Sequence, residues 1–344
     1  MKFGMMTFLE TGANQNGPKI SDQKRIKNAL EEIVLADQVG IDFYGIGEHH
    51  RNDYASSSPQ IILAAAAPLT KRIMLGTAVT VLSSDDPIRL YEQFSTLDLI
   101  SDGRAEMIAG RGSFTESFPL FGYDLEDYNG LFTEKLELLL KAKHEEIMNW
   151  SGKYRKPLIN QSAYPRDIYD LKIGIGVGGT YQSVVRAAKL GLPITFAIIG
   201  GNPLNFKPLI DLYKHSYKEA GHDLDKMEIS IAIHGMISEN VDDLLERYYP
   251  VYRDQFEKIG SERGWNNHIS YQNFLAYVNH GPLIIGNQET VVKRMYHMIK
   301  GLGVDRFIYQ MPGSIMPHEM TMESIKTYGE IIIPALKELL NEKE

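Results

Sequence analysis

An α/β chain folded as a single (β/α)8 TIM barrel, with insertions in the loops at its C-terminal face, is what this sequence predicts. Two observations carry that expectation. Eight short β-rich runs, at residues 2–8, 42–47, 73–79, 105–109, 172–177, 193–199, 228–237 and 306–311, recur between longer stretches of helical periodicity. Strand–helix alternation implies parallel strands with crossover helices. The second observation is that nothing in residues 1–344 has the composition of a linker, a separate domain or an internal repeat. Eight strands in one unbroken unit favour a closed barrel, and a doubly wound open sheet is the alternative.

The elements follow in order. Lys2-Phe3-Gly4-Met5-Met6-Thr7-Phe8 reads as a strand and lacks the basic and long apolar regions of a signal peptide. A helix is expected to start near Ser21, with Ile26, Leu30, Ile33 and Val34 as its apolar stripe and Gly40 as its stop. The second strand ends in Gly47-Glu48-His49-His50. The third runs through Thr77-Ala78-Val79-Thr80-Val81-Leu82, and Asp85-Asp86-Pro87 then reads as a turn and helix start. Arg111, between Gly110 and Gly112, follows the fourth strand. Stretches 112–129, 151–169 and 263–286 exceed the minimal repeat. Loops after barrel strands build the active-site face, so these insertions are expected to cover a pocket, with surface decoration or a dimer contact as the alternative.

Composition narrows the partners. The chain is 43% hydrophobic and 23% charged, an ordinary globular balance, and no run is long and apolar enough to span a membrane. Its net charge of −8, without a basic cluster, argues against nucleic acid. With no cysteine there are no disulfides, thiolate nucleophiles or thiolate-bound metals, which fits a reducing cytoplasm. A soluble intracellular enzyme is the natural expectation.

Three groups of residues are candidates for the chemistry. Glu48, His49 and His50 stand at a strand's C-terminal end, where barrel enzymes place catalytic groups, and a neutral imidazole there can act as a base. Adjacent strand residues face opposite ways, so the two histidines should not share a ligand, and no metal site is expected. Gly174, Gly176 and Gly179 match Gly-x-Gly-x-x-Gly, yet no carboxylate closes the following strand, so a dinucleotide fold is rejected. What survives is Gly178-Gly179-Thr180 before a helix starting near Ser183, where backbone amides can hold a phosphate; an ordinary glycine turn capped by Thr180 stays open. Arg111 offers a planar fork to the same anion. Its strand would be fourth and the strand before Gly178 fifth, which makes them neighbours.

Taken in order, these segments resemble the bacterial luciferase-like monooxygenase family. The residues are Lys2-Phe3-Gly4, Glu48-His49-His50, Gly76-Thr77-Ala78-Val79-Thr80-Val81-Leu82 with Pro87, Leu97-Asp98 with Ser101 and Gly103-Arg104, Arg111-Gly112, Gly178-Gly179-Thr180 and Ala187-Ala188 with Gly191. Gly281-Pro282 to Gly286 and Pro317-His318-Glu319 also look like its flavin branch. The resemblance implies reduced FMN at the top of the barrel, supplied by a separate reductase. Oxygen would add to it as a C4a-peroxide and oxidise a small organic substrate. Arg111, Gly178, Gly179, Thr180 and Ser183 would take the phosphate. Thr77 and Ala78 would lie against the ring, with a cis peptide between them. His49 would be the base or hydrogen-bond partner, with Glu48 and His50 in support. Phe114, Phe118, Phe121 and Tyr123 are candidates for the substrate side. A homodimer through residues 61–67 is implied as well. The cysteine that precedes the arginine in light-emitting subunits is Gly110 here, which leaves light emission in doubt but flavin chemistry intact. Hydride transfer with a deazaflavin, or flavin binding without catalysis, remain alternative readings.

Overall fold

The computed structural model describes residues 1–12, 19–112, 114–262, 268–311 and 316–341. Its strands are β1 (Lys2–Thr7), β2 (Phe43–Ile46), β3 (Met74–Val81), β4 (Ala105–Gly110), β5 (Met148–Trp150), β6 (Leu158–Gln161), β7 (Lys172–Val177), β8 (Ile194–Ile198), β9 (Ile229–Ile237), β10 (Leu283–Gly286) and β11 (Arg306–Gln310). Parallel pairing runs β1-β2-β3-β4-β7-β8-β9-β11 and returns from β11 to β1, a closed (β/α)8 barrel. These eight strands are the eight runs expected from the sequence. Helices cross back between them; Ser21 caps helix Asp22–Gln38, and Asp86 caps Pro87–Ile100 by accepting from the amides of Ile88 and Arg89.

The ninth strand of the sheet was not expected. β10 pairs with the upper end of β9, from His234 to Ile237, beyond Ile233, where β8 stops pairing. The insertion 151–169 also departs from expectation. Its start continues the antiparallel β5–β6 hairpin, which lies outside the barrel sheet. The amides of Lys153 and Tyr154 donate to Glu134 of helix Tyr128–His144, and the carbonyl of Pro165 accepts from Ser95. It therefore packs along the outer helices instead of over the barrel mouth. Of the insertions 112–129 and 263–286, residues 113 and 263–267 lie outside the described set; the rest sits at the C-terminal face. Among the described residues no helix is long and apolar enough to cross a membrane.

The barrel interior is layered. Its floor is ionic: Arg306 makes two hydrogen bonds of 2.7 Å to Glu106 across the barrel, with Lys172 and Glu228 alongside. Above it lies an apolar layer of Met6, Phe43, Ala78, Ile108, Ala232 and Ile308. Above that, side chains shrink. A Cβ on Gly110 or Gly176 would lie 2.4 Å from a Val79 methyl, and one on Gly47 would lie 2.3 Å from the Phe8 ring. Gly110→Ala is accordingly expected to lower stability by about 1–3 kcal/mol through overpacking, read by urea unfolding. An unchanged midpoint would show that Val79 gives way.

Candidate active site

Glu48, His49 and His50 follow directly on β2, and the backbone turns their side chains two ways. Glu48 Oε2 accepts from the Val81 amide at 2.9 Å, and Oε1 lies 2.8 Å from His50 Nε2. The carboxylate thus ties the end of β2 to the end of β3 and fixes His50, which also meets the edge of Phe121. His49 points the other way, as the alternation requires. Its ring sits between Phe8 and Tyr54, each 4.5 Å away, and Phe114 at 5.0 Å. It is 94% buried by its 6% exposure, and Nε2 has no hydrogen-bond partner. Burial, aided by nearby Arg51, pushes its pKa down to about 3. The imidazole is therefore neutral at physiological pH and a poor proton store; a hydrogen-bonding part suits it better than that of a base titrating near pH 7.

Sequence reasoning missed how this loop is held. Arg51 pairs with Asp53 at 3.3 Å and with Glu116, and stacks over Phe114. Asp53 accepts from Lys258 at 2.6 Å, and Tyr54 from Gln255 at 3.2 Å. Helix Val241–Glu262 is thereby clamped onto the loop after β2. Only the fold brings residues 200 apart together.

On β3 the cis peptide falls between Ala78 and Val79, one residue beyond the expected position. Thr77 is fully buried and its hydroxyl accepts from Thr80 at 2.8 Å, so Ala78, not Thr77, faces the interior. On the neighbouring side the expected anion residues do converge. Arg111 donates to Ser183 Oγ at 3.3 Å and to Asn129 at 2.7 Å, and Thr180 donates to Ser183 Oγ at 2.8 Å. β4 and β7, which carry them, are paired. The helix begins at Tyr181, two residues earlier than expected, and Thr180 is its N-cap residue, with no side-chain cap hydrogen bond. Gly179 takes φ +108°, and the space where Gly178 would carry a Cβ is open. Asn129 was not foreseen, since nothing in its local sequence marks it.

The remaining candidates divide. Phe114 and Phe121 touch the histidines, whereas Phe118 packs on Tyr128 and Tyr123 lies over the Lys135 ammonium at 3.7 Å. His318 bonds to Glu31 on the first helix. Among the described residues no three His, Asp or Glu side chains gather as metal ligands.

A profile of the family described as luciferase-like monooxygenase matches residues 1–306. An uncharacterized protein, y4vJ of Sinorhizobium fredii, is 36% identical over 143 residues, 41% of each chain. The chain thus spans about two-fifths of the first curated relatives it matches. The alkanal monooxygenase alpha chain of the Kryptophanaron alfredi symbiont is 25% identical over 80% of this chain and 79% of its own. Among solved structures, monooxygenase RslO1 of Streptomyces bottropensis superposes with TM-score 0.84 at 21% identity, over 97% of this chain and 99% of its own. An F420-dependent secondary alcohol dehydrogenase gives 0.78 at 18% identity, over 97% and 98%. The oxygenating constituent of 3,6-diketocamphane monooxygenase of Pseudomonas putida, in complex with FMN, gives 0.75 at 18%, again over 97% and 98%. The fold is shared with all three, and the profile match over 306 residues decides the lineage: this chain belongs to the luciferase-like monooxygenase family.

Proposed function

We propose that this chain is an FMN-dependent monooxygenase that takes reduced FMN from a separate reductase and uses oxygen to oxidise a small organic substrate. The convergence of Arg111, Ser183 and Thr180 at the start of helix Tyr181–Lys189 carries the reading. A guanidinium, two hydroxyls and a helix N-terminus suit a dianionic phosphate. Gly178 beside them faces open space, a flat ring would lie toward Ala78 and Val79, and the orphaned His49 Nε2 fits a polar group at the ring's edge. FMN would be held by Arg111, Gly178, Gly179, Thr180 and Ser183. When bound and reduced it supplies the electrons that activate oxygen.

The chain's own part is positional. Glu48 fixes the β2 and β3 ends and holds His50. The cage of Phe8, Tyr54 and Phe114 keeps water from His49, and His49 offers a neutral N–H or lone pair at a set place. A protein that merely stored flavin would have no use for that caged imidazole. The whole chain would act as one barrel unit in the cytoplasm, as a homodimer through residues 61–67, of which Ile61 is 69% exposed.

Titration of oxidised FMN by fluorescence and of reduced FMN under anaerobic conditions tests the reading. Arg111→Ala is expected to weaken binding by about 1.5–3 kcal/mol, the value of a charged hydrogen bond. If the folded protein binds neither form, FMN is the wrong cofactor and a deazaflavin takes its place; oxygen uptake with reduced FMN separates the two chemistries.

A further inference from the structure

Two polar side chains on the far wall of the mouth have no part in the site so far. β9 turns Ser230, Ala232 and His234 inward in succession: Ser230 bonds Arg306 in the ionic floor, and Ala232 joins the apolar layer. β11 does the same with Arg306, Ile308 and Gln310. In the parallel register Gln310 stands beside His234, so the two share the top layer of the inner wall. Gln310 is 5% exposed, yet its Nε2 has no partner. His234 packs on Phe256 at 6.2 Å and makes no hydrogen bond to any described residue. It is partly open to the mouth, while the surrounding protein pushes its pKa down to about 4.

This pair is a built feature. Buried polar atoms of a folded chain are nearly always satisfied, and the orphaned Gln310 amide, beside an imidazole that has no hydrogen-bond partner among the described residues and is partly open to the mouth, calls for a ligand. Around the barrel they are three strands or more from β4, which carries Arg111, and on the opposite side from β3 and Ala78. The proposed FMN would lie along β3, β4 and β7, so whatever meets His234 and Gln310 approaches from the other wall.

We propose that His234 and Gln310 form the substrate-orienting pair of this site, and that together they recognise an uncharged hydrogen-bond acceptor, the carbonyl oxygen of a ketone, aldehyde, ester or amide. The inference rests on the FMN reading for what lies opposite. The charge argument is independent of it. An amide and a neutral imidazole present N–H donors without a compensating cation, so a carboxylate or sulfonate would lose its hydration for two neutral hydrogen bonds, whereas a carbonyl loses little. The wall below, Met6, Ala232 and Ile308, is apolar and suits a hydrocarbon body.

The test compares cyclohexanone with methylenecyclohexane, which share shape and differ in the acceptor. Both are titrated by ligand-observed NMR into the protein with and without FMN. One neutral hydrogen bond corresponds to roughly 2- to 12-fold in affinity. The wild-type chain is therefore expected to prefer the ketone by about tenfold, and Gln310→Leu and His234→Phe each to remove most of that preference. Methylenecyclohexane and FMN should bind the variants as they bind the parent. The wild-type comparison needs no variant to fold: equal affinity for the two probes overturns the proposal, leaving the pair merely solvated. A preference that survives both substitutions overturns it too, as does loss of FMN binding in either variant, which would place the pair against the cofactor. Failure of the parent to bind FMN would instead sink the cofactor reading and leave the ketone preference to be judged on the free protein.

Discussion

Arg306→Met is expected to lower the unfolding free energy by about 3–5 kcal/mol, the usual cost of removing one partner from a buried ion pair. Arg306 and Glu106 are 2% and 1% exposed and meet through two bonds of 2.7 Å on opposite walls of the barrel. The loss follows less from the missing attraction than from the carboxylate left behind in a dry interior. Lys172, 3.5 Å away, compensates only in part. Two further results separate this account from a simple packing defect. With Arg306 present, Glu106 lies below its usual range because the guanidinium outweighs burial; without it, burial and the nearby Glu228 carboxylate, opposed only by Lys172, push the carboxyl up. A folded pKa above the unfolded one makes protonation favour the fold, so the deficit of the variant should shrink as pH falls from 7 toward 4. Adding Glu106→Leu should restore most of the stability, because the stranded charge is gone. Urea unfolding of the single and double variants at both pH values decides it. A single-variant deficit that stays constant with pH would show that the charge is not the cause.

The same floor sets the parent's own acid limit. Glu228 is held down to about 2 by Arg306 and Lys172, against burial acting the other way. Its folded pKa lies below the unfolded 4.5, so its contribution is complete above pH 4.5 and is lost as pH falls toward 2.

What the sequence made legible was whatever local pattern can encode. The parallel barrel strands are short apolar runs between amphipathic helices, and their C-terminal ends carry Glu48-His49-His50, Arg111 and Gly178-Gly179-Thr180. Adjacent ordering of β4 and β7 followed from the barrel alone, and the anion residues met as expected. Four-residue β10 stayed hidden because its pattern matches a buried loop as well as a strand, and only β9, running on beyond the end of β8, gives it an edge to join. The cis bond could be assigned to the segment and not to the peptide, since Thr77, Ala78 and Val79 are all compatible with either place. His234 and Gln310 were out of reach for another reason. Their meeting depends on the register of strands 76 residues apart, and register is set when the barrel closes. The Asp53–Lys258 clamp has the same origin.

His49→Phe is expected to slow the oxygen-dependent reoxidation of protein-bound reduced FMN by about 10²- to 10³-fold, the effect of deleting one fixed hydrogen-bonding group from a dry site. FMN affinity should change far less, because the phosphate residues stand on other strands. Phenylalanine fits the cage of Phe8, Tyr54 and Phe114 and removes the orphaned Nε2, so the variant should be no less stable than the parent at pH 7. Acid gives the sharper test. His49 has its folded pKa near 3 against an ordinary 6.5, so the unfolded chain binds the extra proton and the parent loses stability as pH falls below 6.5. That loss reaches about 2 kcal/mol at pH 5, at 1.36 kcal/mol per unit. The variant lacks it, and its advantage over the parent should grow by that amount between pH 7 and pH 5. Stopped-flow reoxidation, FMN titration and urea unfolding at the two pH values measure all three quantities on one pair of proteins. Unchanged reoxidation with the acid advantage present would leave His49 a buried packing residue and move the search for the polar partner to His50. Slow reoxidation without the acid advantage would mean the imidazole is solvated, and the cage would then not be excluding water.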